Sequence, residues 1–167
     1  MFIQVGEMFC GWKKPEVSVI TGTCNRLDYL KDMVASVRQW VYPIHYEIIV
    51  VDAGSTDGTG QWCEEQRDIK FIQQRVKLGA VKAFNAGFKI ARAPYAANLN
   101  DDCLVMGDIF CQAINQLNDP LIGQIAIPLQ APHESKPRLD IVGLGHPRQM
   151  WRYANFAVTR KFLGNHV

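Results

Sequence analysis

The sequence predicts an α/β domain built on a mostly parallel sheet. Two observations carry that prediction. Short runs of apolar or β-branched residues alternate with segments whose apolar residues recur at helical spacing. The strand runs are apolar throughout rather than alternating, as expected where both faces of a sheet are covered. A chain of 167 residues is long enough for one domain with a substantial core.

The elements follow in order. VSVIT, residues 17–21, is a buried strand that ends at Gly22. Leu30, Met33, Val34, Val37 and Val41 then mark an amphipathic helix over about 28–40, which Pro43 stops. EIIVV, residues 47–51, is a second strand. Ser55 is placed to cap a helix running through Trp62 to about Gln66, with Asp57 as an acid complementing its dipole. KFIQQ, 70–74, is a short third strand. Ala80, Val81, Phe84 and Phe88 mark a helix over about 79–92, ended by Pro94; Gly87 inside it costs helix stability unless something packs closely there. YAANLN is the fourth strand. Asp108 then caps a helix carrying Ile109, Phe110, Ala113, Ile114 and Leu117, and QIAIP, 124–128, is a fifth strand. Residues 131–149 are punctuated by prolines and glycines. The last stretch, from Met150 on, reads as a strand running into a helix start.

Composition narrows the function classes. With 48% hydrophobic and 20% charged residues and a net charge of +2, the chain has the balance of a globular protein and no pull toward nucleic acid. The opening residues do not read as a secretory signal, and nothing approaches the apolar length that spans a bilayer. The five cysteines (Cys10, Cys24, Cys63, Cys103 and Cys111) contain no CxxC pair, which favours reduced thiols and a cytoplasmic setting.

In parallel sheets, ligands bind beyond the carboxyl ends of strands. Three strand ends carry polar clusters: TGTCNR after the first, DAGSTDGT after the second and NDD after the fourth. Asp101 and Asp102 stand side by side where a strand ends, and adjacent carboxylates repel. A divalent cation such as Mg²⁺ or Mn²⁺ would cancel their charge, since hard cations take carboxylate oxygens; a hydrated turn before the next helix is the plainer reading. Asp52 closes its strand and is placed either to accept a bond from a ligand's N–H or hydroxyl, or to accept backbone N–H groups and shape the turn. Two rival motifs lack support. VVDAGS resembles a methyltransferase cofactor loop only superficially, because it follows the second strand and has no Gly-x-Gly after the Asp. No GxGxxG follows the first strand and no P-loop occurs.

Taken together, VSVITGTCNRLDYLKDMVASVRQW, EIIVVDAGSTDGT, KLGAVKAFNAGFKIA and NLNDDCLV resemble the successive motifs of family-2-type nucleotide-sugar glycosyltransferases, over about residues 16–117. The resemblance implies a GT-A fold, in which a Rossmann-like nucleotide half merges with an acceptor half. It divides the chain into an N-terminal extension, 1–15, a nucleotide-sugar-binding half, 16–130, and the start of an acceptor-side region, 131–167. It implies donor-nucleotide contacts from Thr23, Asn25, Arg26, Asp52, Lys77, Gly79, Asn100 and Asp101. Gly22 and Cys24 replace the Pro and the aromatic residue usual in the first of these motifs. Asp52 falls on the base-recognising acid; Lys77 falls near the diphosphate, though a surface lysine that merely snorkels reads the same way. Asn85 and Gly87 match the family's NxG, which gives Gly87 a packing reason. NDD falls on the family's DxD-like metal motif, with Asp102 as the ligand of Mn²⁺ or Mg²⁺.

The resemblance further implies an inverting displacement from a UDP- or dTDP-sugar to an acceptor hydroxyl, the acceptor being a glycan, a lipid-linked glycan or a protein. A lipid-linked acceptor would bring peripheral membrane association. The catalytic base is expected from an acid in an ED-like motif late in the domain, and no such residue is found here. Glu134, Asp140, His133 and His146 lie in the right half but match no motif. The expectation is a chain truncated before that motif. Its rivals are a donor-binding module without turnover and an S-adenosylmethionine-dependent methyltransferase.

Overall fold

A computed structural model describes residues 14–74, 76, 79–127 and 156–160. Lys77, the N-terminal residues 1–13, Glu134, Asp140, His133, His146, the whole 131–149 segment and the helix start expected after residue 160 lie outside the described residues.

Six strands form one sheet, β1 (Val17–Thr23), β2 (Tyr46–Asp52), β3 (Ile69–Gln73), β4 (Tyr95–Leu99), β5 (Gln124–Ala126) and β6 (Phe156–Arg160), in the order β3-β2-β1-β4-β6-β5. Among the described residues the helices are α1 (Leu27–Trp40), α2 (Thr59–Glu64), α3 (Ala80–Ile90) and α4 (Ile109–Leu117). β1 pairs in parallel with β2 and with β4, and β2 with β3; β6 runs antiparallel between β4 and β5. The chain steps outward from β1 to β2 to β3, then returns to place β4 on the other side of β1. That reversal opens a crevice between the carboxyl ends of β1 and β4, the place where open α/β sheets hold ligands.

The predominantly apolar runs of β1 and β2 are explained by burial on both faces. Val17, Val19, Ile48 and Val50 turn to one side, with Leu30, Met33, Val34 and Val37 of α1 and Phe110, Ala113 and Leu117 of α4. Ile20, Ile49 and Val51 turn to the other side, where α3 packs through Ala83. Gly87 is the reason α3 can lie so close. A Cβ built there would collide with Ile20 Cγ2, well inside van der Waals contact.

One helix start and one cap differ from expectation. α2 begins at Thr59, not at Ser55, after Gly58 in the left-handed region (φ +89°). Ser55 does not cap it, because its N–H and hydroxyl are both donated to Asp52. Asp108 stands at the position before α4, but its carboxylate makes no capping bond. The fifth strand is also shorter than expected, three residues rather than five.

At the amino end of the sheet, Glu47 is a buried carboxylate. It accepts from Ser18 Oγ (2.6 Å) and from the Arg92 N–H (2.7 Å), and it pairs with Lys70 Nζ (2.7 Å) and Arg92 Nε (3.3 Å). β1, β2, β3 and the α3–β4 turn are thereby tied at one carboxyl group. Burial pushes its pKa up, but the bonds from Lys70, Ser18 and the Arg92 amide outweigh burial and bring it down to about 2.

Candidate functional site

The carboxyl ends of β1, β2 and β4 converge, and side chains join the loops that follow them. Register places Thr23 beside Asp52. On its other side Thr23 Oγ1 donates to Asp101 Oδ2 at 2.8 Å, across the gap left where β1 and β4 stop pairing. Asp101 is thus buried, while Asp102 turns outward with its side chain 43% exposed. Arg26 Nη1 reaches both, at 3.3 Å from Asp101 Oδ1 and 2.9 Å from Asp102 Oδ2. The charge facing the acidic pair in this structure is therefore a guanidinium supplied by the chain itself. Hydrogen bonding to Asp102, then the charge of Asp101, raises the pKa of that guanidinium above its ordinary value.

The remaining expected donor residues are placed differently. Asn25 adopts a positive φ of +53°, which asparagine tolerates better than most residues. Its N–H donates to Ser55 Oγ (2.8 Å) and its Oδ1 accepts the Thr56 N–H (2.8 Å). Asn25 therefore straps the β1–α1 loop to the β2–α2 loop. Asp52 is fully buried. Its two oxygens share the Ser55 N–H (3.1 and 3.0 Å) and one also accepts the Ser55 hydroxyl. These bonds shape the turn, one of the two roles the sequence leaves open for Asp52, and leave the carboxylate further acceptor capacity. Gly79 precedes α3 with φ +88°, and a Cβ there would meet nothing within 4 Å. Asn100 gives its carbonyl to the Cys103 N–H at 3.2 Å.

Asp57 does more than sit near a helix dipole. Its Oδ1 accepts from Thr59 Oγ1 (2.6 Å) and Thr59 N–H (3.2 Å), while Oδ2 accepts the Leu27 N–H (2.9 Å) at the start of α1. Burial pushes this carboxyl up, yet those bonds hold it below the usual range. The strap residues Ser55 and Thr56 were missed as a site feature by sequence reasoning. The signal available was local: Asp52 followed three residues later by a serine, a spacing at which the acid can accept the serine's N–H and close a turn.

The donor set that follows β4 consists of the Asn100 amide and the carboxylates of Asp101 and Asp102. Among the described residues no cluster of three or more His, Cys, Asp and Glu forms a metal cage. Two adjacent carboxylates, one of them open to solvent, fit a hard divalent ion that completes its shell with waters and phosphate oxygens.

A sequence model of glycosyl transferase family 2 matches residues 18–164. The chain belongs to that family. TuaG of Bacillus subtilis, named for teichuronic acid biosynthesis, is 39% identical over 93 residues, 53% of this chain and 36% of that protein. The chain thus spans about a third of the length of that curated relative. Among solved structures, residues 1–349 of S. aureus TarS align with a TM-score of 0.72 at 20% identity, over 87% of this chain and 47% of that one. The mannosyltransferase PcManGT from Pyrobaculum calidifontis, solved with GDP-Man and Mn²⁺, aligns with a TM-score of 0.65 at 20% identity, over 89% and 45%. These likenesses establish the GT-A architecture. The family match overturns the methyltransferase alternative; the VVDAGS loop belongs to the second strand of a family 2 domain. Among the described residues no helix is long and apolar enough to cross a membrane.

Proposed function

We propose that this domain binds a nucleoside-diphosphate sugar in the crevice between β1 and β4, and that it forms the donor half of a metal-dependent, inverting glycosyltransferase. The observation that carries the proposal is the acidic pair at the end of β4. Asp101 is pinned from behind by Thr23, and Asp102 is turned outward at the point where strand order reverses. The ligands of structurally similar proteins support the reading: PcManGT holds GDP-Man and Mn²⁺, and S. aureus TarS has been solved with UDP and with UDP-GlcNAc.

In this reading Asp102, aided by Asn100 and Asp101, holds Mn²⁺ or Mg²⁺. Such an ion supplies Lewis-acid stabilisation of the charge that grows on the departing nucleoside diphosphate. Thr23 fixes the position of Asp101 and thereby of the whole turn. Asp52 and Asn25 shape the wall of the base pocket through Ser55 and Thr56, and Asp52 reads the base with the acceptor capacity that Ser55 leaves. Arg26 and the α3 start at Gly79 face the diphosphate, and the family resemblance assigns Lys77, outside the described residues, to the same group. The donor is a UDP- or dTDP-sugar, and the acceptor is a glycan, a lipid-linked glycan or a protein at the cytoplasmic side of the membrane or in the cytoplasm.

Thermal unfolding with UDP, dTDP or GDP, with and without Mn²⁺, tests this. A ligand at about 100 times its dissociation constant adds roughly 2.7 kcal/mol, or about 5–10 °C in the midpoint for a domain of this size. The expected result is a Mn²⁺-dependent shift with a nucleoside diphosphate, lost in Asp102→Ala while the unliganded midpoint stays. A Mn²⁺-dependent shift retained in Asp102→Ala would remove the site assignment.

A further inference from the structure

We infer that Arg26 is a built-in counter-cation which keeps divalent metal off Asp102 until a nucleoside diphosphate arrives, so that metal and nucleotide bind as a coupled pair. The inference rests on the donor site proposed above.

The geometry is specific. A single nitrogen, Arg26 Nη1, touches both carboxylates, at 3.3 and 2.9 Å. A divalent ion bound to Asp102 would need the same outward carboxylate at roughly 2.0–2.2 Å, which brings two positive centres within a few ångströms of each other. Guanidinium and metal therefore compete for Asp102. The two carboxylates depend on Arg26 to different degrees. Asp101 keeps its bond from Thr23 when the guanidinium moves, whereas Asp102 keeps a long, weak bond from the Cys103 thiol at 3.9 Å and is the carboxylate open to an ion.

Arg26 is loosely held: besides the carboxylates, its guanidinium lies over the exposed Tyr29 ring at 6.0 Å from the centroid. Its side chain is 49% exposed, and it precedes α1, where the Asp57 bond to Leu27 fixes the backbone rather than the side chain. Its planar fork of donors matches phosphate oxygens as well as carboxylates. A diphosphate entering the crevice offers the displaced guanidinium a second anion and offers the ion further oxygens. Each ligand then removes an obstacle to the other, and the coupling is reciprocal.

The test is Mn²⁺ titration of the 167-residue chain, read from the electron paramagnetic resonance signal of free Mn²⁺, with and without UDP, dTDP or GDP. Arg26→Gln is expected to bind Mn²⁺ alone about tenfold or more tightly than the unmodified chain, because a competing charge is gone. Arg26→Lys, which restores the charge, is expected to return most of the way to the original affinity. Equal affinity of Arg26→Gln and the unmodified chain for Mn²⁺ alone, with Mn²⁺ still bound in the presence of a nucleotide, would overturn the role of Arg26 and leave the donor site standing. No Mn²⁺ binding under any condition would overturn both. Tightening that persists in the Arg26→Gln, Asp102→Ala double variant would place the ion elsewhere and also overturn the inference. Should Arg26→Gln fail to fold, the ¹⁵Nε resonance of Arg26 in the unmodified chain decides. It is expected to move when UDP and Mg²⁺ are added together, and an unmoved resonance under saturating ligand refutes the exchange.

Discussion

Glu47 gives the most quantitative test of the structure. Its carboxyl is brought from an ordinary 4.5 to about 2, and it is buried at the amino end of the sheet. A depressed folded-state pKa means that folding stabilises the ionised form. The contribution is full above the unfolded value of 4.5 and is lost as pH falls toward 2. The difference corresponds to about 3 kcal/mol at neutral pH. Lys70 and Arg92 are themselves one-third and two-thirds exposed, so solvent screening brings the realised figure to about 2–3 kcal/mol. Urea unfolding of the unmodified chain and of Glu47→Gln at pH 7 and pH 3 reads it directly. The variant is expected to lose about 2–3 kcal/mol at pH 7 and about half that at pH 3, where the unfolded chain already holds this proton and the folded chain does not. Taking the difference between the two chains at each pH cancels the titration of all other groups. A loss that is the same at both pH values would refute the reasoning, because it would assign the effect to shape and not to charge.

Three further outcomes follow from contacts described above. Gly87→Ala should lower stability by about 1–2 kcal/mol, since overpacking against Ile20 outweighs the roughly 1 kcal/mol gained in helix propensity; an unchanged thermal midpoint would mean that α3 does not lie that close to β1. Asp57→Ala should cost about 1–2 kcal/mol in urea unfolding by uncapping Leu27 and Thr59, with about half of it recovered in Asp57→Asn, whose single amide oxygen can take over from only one of the two accepting carboxylate oxygens; an unchanged stability in Asp57→Ala would mean that these bonds do not hold the loop. Burial, reinforced by nearby carboxylates, pushes the Cys63 thiol up to about 12 and the Cys103 thiol up to about 11. Both should therefore resist alkylation by iodoacetamide at pH 8 and gain reactivity only as pH rises toward those values, measured site by site by mass spectrometry.

The sheet and helices were legible in the sequence because their signals are local. The strand runs and the spacing of Leu30, Met33, Val34 and Val37 report burial within one element. The packing reason for Gly87 was also legible, since a glycine inside a strong helical pattern needs a close neighbour. What was not legible depends on partners distant in the chain. Ser55 has the chemistry of a cap, and only the nearness of Asp52 and Asn25 decides that it serves a loop strap. Asp101 and Asp102 read as a site for a cation, and a metal was the expected one. That the cation beside them among the described residues is Arg26, 75 residues before Asp101, is a fact of tertiary structure. The place of β6 between β4 and β5 is likewise set by pairing, which composition does not reveal.

That place of β6 has a consequence during synthesis. β4 is finished at Leu99, but the strand that covers its outer edge starts at Phe156, 57 residues later. At about 5–20 residues per second, a ribosome takes roughly 3–10 s to deliver it. Through that interval β4 presents an unpaired row of backbone N–H and C=O groups, and β5, already made, has no neighbour to join. An open edge of this kind is a template for another nascent chain. The emerging polypeptide is thus most exposed to misassembly in the window before residue 160 leaves the exit tunnel, and a chaperone that shields the β4 edge would act there.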